Sequence, residues 1–180
     1  MRSTKTKAQN RVCGACSLCC KLVAFFEINK PMGQWCPHCT KSNGCSIYDT
    51  RPNECRSFNC GWLINPEFGD EWQPIRSKIV IRHVRDGDMS ILVFHVDAGS
   101  PLTWREEPYY SQLKRLARSG LEHNGWVNIF VGKRLIVILP NKDVDCGMWE
   151  PSDKISYQMN WNGFDWEVEV HKVPQEAPTS

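Results

Sequence analysis

Long hydrophobic runs are missing from this chain. The two longest, Leu22–Phe26 and Leu135–Leu139, are five residues each, whereas a bilayer-crossing helix needs about 20. A charge excess is missing too: 22 Lys and Arg stand against 20 Asp and Glu, a formal +2. That is too near neutral to point by itself to nucleic acid or a membrane surface. The first twelve residues are polar, with Arg2, Lys5, Lys7 and Arg11 and no apolar stretch. No secretory leader is therefore expected, and the cytoplasm is the expected location. No GxGxxG, P-loop, HExxH or nucleophile elbow occurs, so no cofactor box supports a methyltransferase or a hydrolase. After residue 60 cysteine nearly vanishes, leaving only Cys146.

The other nine of the ten cysteines are Cys13, Cys16, Cys19, Cys20, Cys36, Cys39, Cys45, Cys55 and Cys60. Such density means a disulfide framework or a metal site. Disulfides need an oxidising compartment, and a bridge wants its Cα atoms about 4.4–6.8 Å apart across facing segments. Adjacent Cys19 and Cys20, and gaps of two residues, suit that geometry poorly. In Cys-x-x-Cys two thiolates can curl around one soft ion, and thiolates select zinc, Cu(I) or iron–sulfur clusters. The spacing favours metal. Were the first block helical, Cys13, Cys16 and Cys20 would share a face.

Charge and composition divide the chain near residue 72. Residues 1–72 carry nine basic and six acidic side chains, and residues 73–180 carry thirteen and fourteen. Residues 13–72 read as an irregular cysteine module with too little apolar content to fold unaided. Leu22–Phe26 is expected as a strand or buried turn, and a helix is expected near Cys55, with Thr50 as N-cap and Pro52 in its first turn. Residues 73–173 read as an antiparallel sheet with one helix. Ile79–Ile81 and Ile91–Val96 flank Asp86-Gly87-Asp88 as a hairpin. Tyr109, Leu113, Leu116 and Ala117 recur at helical spacing from Pro108 to Leu121. Trp126–Val131 and Leu135–Leu139 follow as strands around Gly132-Lys133-Arg134. In the last hairpin an Asn162-Gly163 turn sets Trp161 opposite Phe164, Met159 opposite Trp166, Tyr157 opposite Val168 and Ile155 opposite Val170. The expectation is an α+β fold with the metal-binding module packed on the sheet, and flexible tails at 1–12 and 174–180.

Around the cysteines, the block Cys13-Gly14-Ala15-Cys16-Ser17-Leu18-Cys19-Cys20, with Gly44-Cys45-Ser46-Ile47-Tyr48 and Arg51-Pro52-Asn53-Glu54-Cys55-Arg56-Ser57-Phe58, resembles the CxxCxxCC zinc- or iron-chelating family. These are the YkgJ-type cysteine-cluster proteins, and flagellin lysine N-methylase carries a related cysteine region. The resemblance covers about residues 13–62. It implies metal ligation by Cys13, Cys16, Cys19, Cys20, Cys36, Cys45 and Cys55, with Cys39 or Cys60 completing eight. It implies metal binding far more firmly than any reaction. Ser17-Leu18 stands where the family often has Gly. Eight thiolates would suit two four-cysteine zinc ions, or a 4Fe–4S cluster beside a zinc. Cys13-x-x-Cys16-x-x-Cys19 matches a ferredoxin-like run, but Cys20 takes the place of the distant fourth ligand. No cysteine follows Cys16-x₃-Cys20 at the radical-SAM spacing.

Other residues carry weaker signals. Cys36-Pro37-His38-Cys39 is also a thiol-oxidase motif, but that chemistry needs a thioredoxin scaffold, and nothing upstream supplies one. His38 reads as a neighbour of the ligands rather than one of them. Arg51 and Arg56 could offset thiolate charge or bind an anionic partner. Trp35, Phe58 and Trp62 read as core packing or as a shield against water. His83 and His95 sit on adjacent predicted strands and read as hydrogen-bonded packing before a metal pair. Lys114, Arg115 and Arg118 read as a solvated helix face, and Cys146 as a lone thiol. Three functional classes remain: a metal- or cluster-binding protein with a protein partner on its sheet, a protein lysine N-methyltransferase or redox enzyme, and a zinc-finger-like interaction module. Membrane and nucleic-acid partners are disfavoured.

Overall fold

Short turns between apolar runs dictate most of the sheet. In the computed structural model, which describes residues 11–40, 44–163 and 166–174, Gly87 adopts a positive φ of 56°. It turns β3 (Ile79–Asp86) back onto β4 (Met89–Val96), pairing Ile79 with Val96 and Asp86 with Met89. The expected helix forms as α5 (Tyr109–Leu121) and buries Leu113 and Ala117. β5 (Gly125–Val131) and β6 (Arg134–Ile138) make the next hairpin, and β7 (Asp143–Met148), not anticipated from the sequence, closes a five-stranded sheet in the order β3-β4-β5-β6-β7. The β4–β5 pair is parallel and the others antiparallel. A crossover through a helix makes such pairing possible, and α5 is that crossover. At its end Gly120 meets the start of β5 so closely that a Cβ there would sit 2.7 Å from the Gly125 carbonyl oxygen.

Strand alternation gives the sheet two apolar faces. On one, Ile79, Ile81, Phe94, Val127, Ile129, Ile136 and Ile138 pack under α5 and a cover of Trp62, Phe68, Trp72 and Trp104. Residues 60–72, grouped by composition with the cysteines, thus complete the core of the sheet. On the other face Trp126, Val137 and Leu139 receive the β8 (Asp153–Trp161) and β9 (Trp166–Pro174) hairpin through Val168, Tyr157 and Met159. Tyr157 stacks on Trp126 at 3.9 Å, and its hydroxyl meets Asn128. Its register departs from expectation. Trp161 pairs with Trp166, Met159 with Val168, Tyr157 with Val170 and Ile155 with Lys172. The connection therefore spans residues 162–165 rather than two residues. The slip is two residues, which keeps each strand's faces unchanged, so the apolar pattern alone could not detect it. Phe164 lies outside the described residues.

The cysteine module straddles the edge strand β3. Leu22, Val23 and Phe25 pack on Val80 on one face, while Cys60 and Trp62 join the core on the other. Its regular elements are small: α1 (Cys19–Leu22), β1 (Cys39–Thr40), β2 (Gly44–Cys45), α2 (Asn53–Ser57) and α3 (Gly61–Ile64). A further turn, α4 (Pro74–Ser77), leads into β3. The expected helix near Cys55 starts later than its signals suggested. Thr50 ends a 3₁₀ turn, Tyr48–Thr50, and Pro52 is the N-cap of α2. Pro52 disfavours helical backbone at Arg51, which is extended at ψ 145°. Arg11, assigned to a flexible tail, is instead held: it donates to the carbonyls of Trp62 and Asn65, and pairs with Asp70 at 3.6 Å. At the other end, Pro174 pairs with Asp153 in the ladder rather than opening a tail. Residues 1–10 and 175–180 lie outside the described residues.

Candidate metal centre

The module's backbone is folded by local turns that bring distant cysteines together. Cys13–Cys16 forms a turn (Cys16 N–H to Cys13 carbonyl, 3.0 Å), so the first block is not one helix and helical order begins only at Cys19. The Cys36 amide donates to the Cys20 carbonyl at 2.9 Å, tying the second block to the first. Cys39 pairs with Cys45 across β1 and β2. In the short α2, Cys55 faces the cluster of Leu22, Val23 and Phe25. Gly61 lets α3 lie on β3, since a Cβ there would stand 2.7 Å from Ile81 Cγ2.

These turns place Cys13, Cys16, Cys19, Cys20, Cys36, Cys45, Cys55 and Cys60 around one cavity of about 310 Å³. Phe25, Ile28, Tyr48, Arg51, Phe58 and Leu63 are among its other walls. Cys39 is not among the lining residues; its thiol meets the Cys20 thiol and the Ser17 hydroxyl from the side. All ten cysteines are free thiols. Among the described residues no three His, Cys, Asp or Glu side chains converge on a single ready-made ion position. The thiols ring a shared space instead. The donor set is all sulfur, which fits thiophilic metals such as zinc and iron.

Electrostatics inside the cavity follow from crowding. Burial raises the pKa of Cys13, Cys36, Cys55 and Cys60, and neighbouring thiols push each the same way. A hydrogen bond with Cys19 leads the upward shift at Cys20, with burial next. Backbone amides oppose this at two sites: His38 toward Cys36, and Trp62, Leu63 and Ile81 toward Cys60. One cation that the sequence did not flag is buried here. Lys30 is 4% exposed, and its ammonium is held by the carbonyls of Lys21, Val23 and Pro31. Burial lowers its pKa, while Cys36, Cys20, Cys19 and Cys55 act in the other direction. Nothing in the spacing marks it, because a lone lysine between two cysteine blocks reads as surface.

The remaining sequence candidates are scattered. Arg51 lines the cavity and stacks on Tyr48 at 3.6 Å, whereas Arg56 is engaged with the Arg51 carbonyl at the surface. Phe58 lines the cavity, and Trp62 borders a smaller space beside it. Trp35 lies near Lys21, 6.0 Å from its ammonium, and is not a lining residue. The His38 carbonyl accepts from Ser46, and the His38 ring does not line the cavity. His83 and His95 do not meet: they pair with Leu92 and Val80, positions of opposite parity along the strands, and so face opposite sides of the sheet. His83 bonds Ser90, while His95 is buried against Phe130. Lys114 is more than a solvated stripe residue: it pairs with Asp143 at 2.7 Å and donates to the Leu139 carbonyl. Cys146 sits on β7 with its thiol toward the Val144 carbonyl.

No protein-family model, curated protein or solved structure matches this chain. The likeness to the CxxCxxCC proteins therefore stands on its motif residues alone. No helix among the described residues is long and apolar enough to cross a membrane.

Proposed function

We propose that this chain is a thiolate metal-binding protein that holds zinc or an iron–sulfur cluster in the cysteine cavity at the β3 edge. One observation carries this reading: eight cysteines from four separate stretches, 13–20, 36, 45 and 55–60, line a single cavity. Packing alone does not require so many sulfur atoms from distant segments to share one space, whereas a soft metal does. The residues that would hold the metal are those eight. The bound metal would supply strong thiolate bonds, with redox capacity if it is iron. Around it Phe25, Phe58 and Leu63 would limit water, and Lys30 and Arg51 would offset negative charge.

Cobalt(II) titration of the reduced, metal-free chain tests this. The expected result is an intense thiolate-to-cobalt charge-transfer absorption saturating at about two ions per chain, as two four-cysteine sites would give. Cobalt uptake without that absorption, or no uptake, would contradict it.

A further inference from the structure

Vicinal cysteines pose a geometric question. Consecutive residues of a helix diverge by about 100°, the turn that 3.6 residues per revolution requires, and Cys19 and Cys20 open α1 together. Their thiols stay in hydrogen-bond contact with one another, so the spaces that the two border adjoin. Cys19 borders a small space walled by Cys13, Cys16 and Cys60, with Trp62, Leu63, Pro74 and Val80 as its apolar remainder. Cys20 belongs to a second group, which borders the first where Cys20 interacts with Cys19 and Cys13. Cys36 interacts with Cys20 and Cys45, and Cys55 interacts with Cys36, Cys20 and Cys45. Cys60, by contrast, has Cys16 as its thiol neighbour. The buried Lys30 ammonium interacts with Cys36, Cys20 and Cys55 of the second group and only with Cys19 of the first.

We infer that the cavity holds two adjacent four-thiolate sites, Cys13–Cys16–Cys19–Cys60 and Cys20–Cys36–Cys45–Cys55, with Cys39 outside both. The inference rests on the metal-binding reading above and adds a division that the sequence left open. The two sites are chemically unequal. The first is walled by Trp62, Leu63 and Val80 against the sheet, and the second carries Lys30 as a fixed counter-charge. Cys39 lies beside the second site as a spare thiol, in contact with Cys20.

The test uses the full chain loaded with zinc under reducing, oxygen-free conditions. Metal content is measured for the wild type and for Cys39→Ser, Cys60→Ser and Cys45→Ser. Cys39→Ser should retain the full wild-type zinc, while Cys60→Ser and Cys45→Ser should each lose half of it. Alkylation of the loaded wild type, read by mass spectrometry, needs no substitution and covers the case in which a variant fails to fold. Cys39 should label at least tenfold faster than any of the eight assigned ligands. Loss of zinc from Cys39→Ser, or protection of Cys39 with labelling of Cys60, would overturn the division while leaving metal binding intact. A wild-type chain that takes up no zinc would overturn both.

Discussion

Removing the proposed metal from the reduced protein is expected to unfold residues 13–58 while the five-stranded sheet stays folded. The reason is the poverty of the module's own structure. Its helices are four or five residues long and its strands two, whereas isolated helices below about 12 residues are marginal in water. Its private apolar cluster consists of Leu22, Val23, Phe25 and Val80, the last contributed by the sheet. A structural zinc supplies on the order of 10–16 kcal/mol of binding free energy, comparable to or larger than the whole stability of a typical domain at about 5–15 kcal/mol. The sheet has its own core in Phe68, Trp72, Phe94, Leu113 and Ile129, so it should survive. Hydrogen exchange followed by mass spectrometry would read the two parts separately. Protection should disappear in peptides from 13–58 and persist in β3–β6. Retained protection across 13–58 after complete metal removal under reducing conditions would contradict this.

Acid should destabilise the fold through His95. Both ring nitrogens are buried without a hydrogen-bond partner among the described residues, and the ring stacks on Phe130 at 5.7 Å. Lys21, Leu22, Met32 and Ala98 close around it. Burial first, and then the charges of Arg82 and Lys30, hold its pKa down to about 3, against an ordinary 6.5. The unfolded chain therefore binds a proton that the folded chain refuses. Stability from the neutral imidazole is complete above pH 6.5 and is lost as pH falls from there toward 3. At 1.36 kcal/mol per pKa unit the loss is of the order of a few kcal/mol. Urea unfolding of His95→Leu and wild type between pH 7.5 and 4.5 checks this. The variant should show the shallower decline, with acid effects on the thiolate centre common to both proteins. Parallel pH profiles would contradict the role given to His95.

Much of the sheet was legible because turn chemistry and apolar period agreed there. Asp86-Gly87-Asp88 between two apolar runs gave β3 and β4, and the recurrence of Tyr109, Leu113 and Ala117 gave α5. The parallel β4–β5 pair escaped, because local pattern carries no information on which strands become neighbours across a helix. The last hairpin shows a different limit: a two-residue slip leaves every side chain on its face, so the stacking of Tyr157 on Trp126 and the pairing of Trp161 with Trp166 hold a register that alternation could not specify. At the site, sequence spacing gave the nine cysteine candidates but not their grouping. That depends on the turn at Cys13–Cys16 and on the amide of Cys36 docking on the Cys20 carbonyl. Lys30 was invisible because its burial depends on carbonyls at Lys21, Val23 and Pro31, which only the folded loop gathers.

The central claim is that the cysteine cavity holds metal, and metal content per chain tests it most directly. Protein expressed in full length and purified without oxygen or chelator should carry either about two zinc ions, one for each four thiolates, or iron with sulfide in cluster proportion. Replacement of Cys16 together with Cys36 should abolish that content. A folded wild-type chain with neither zinc nor iron, and with all nine clustered thiols open to alkylation, would contradict the account.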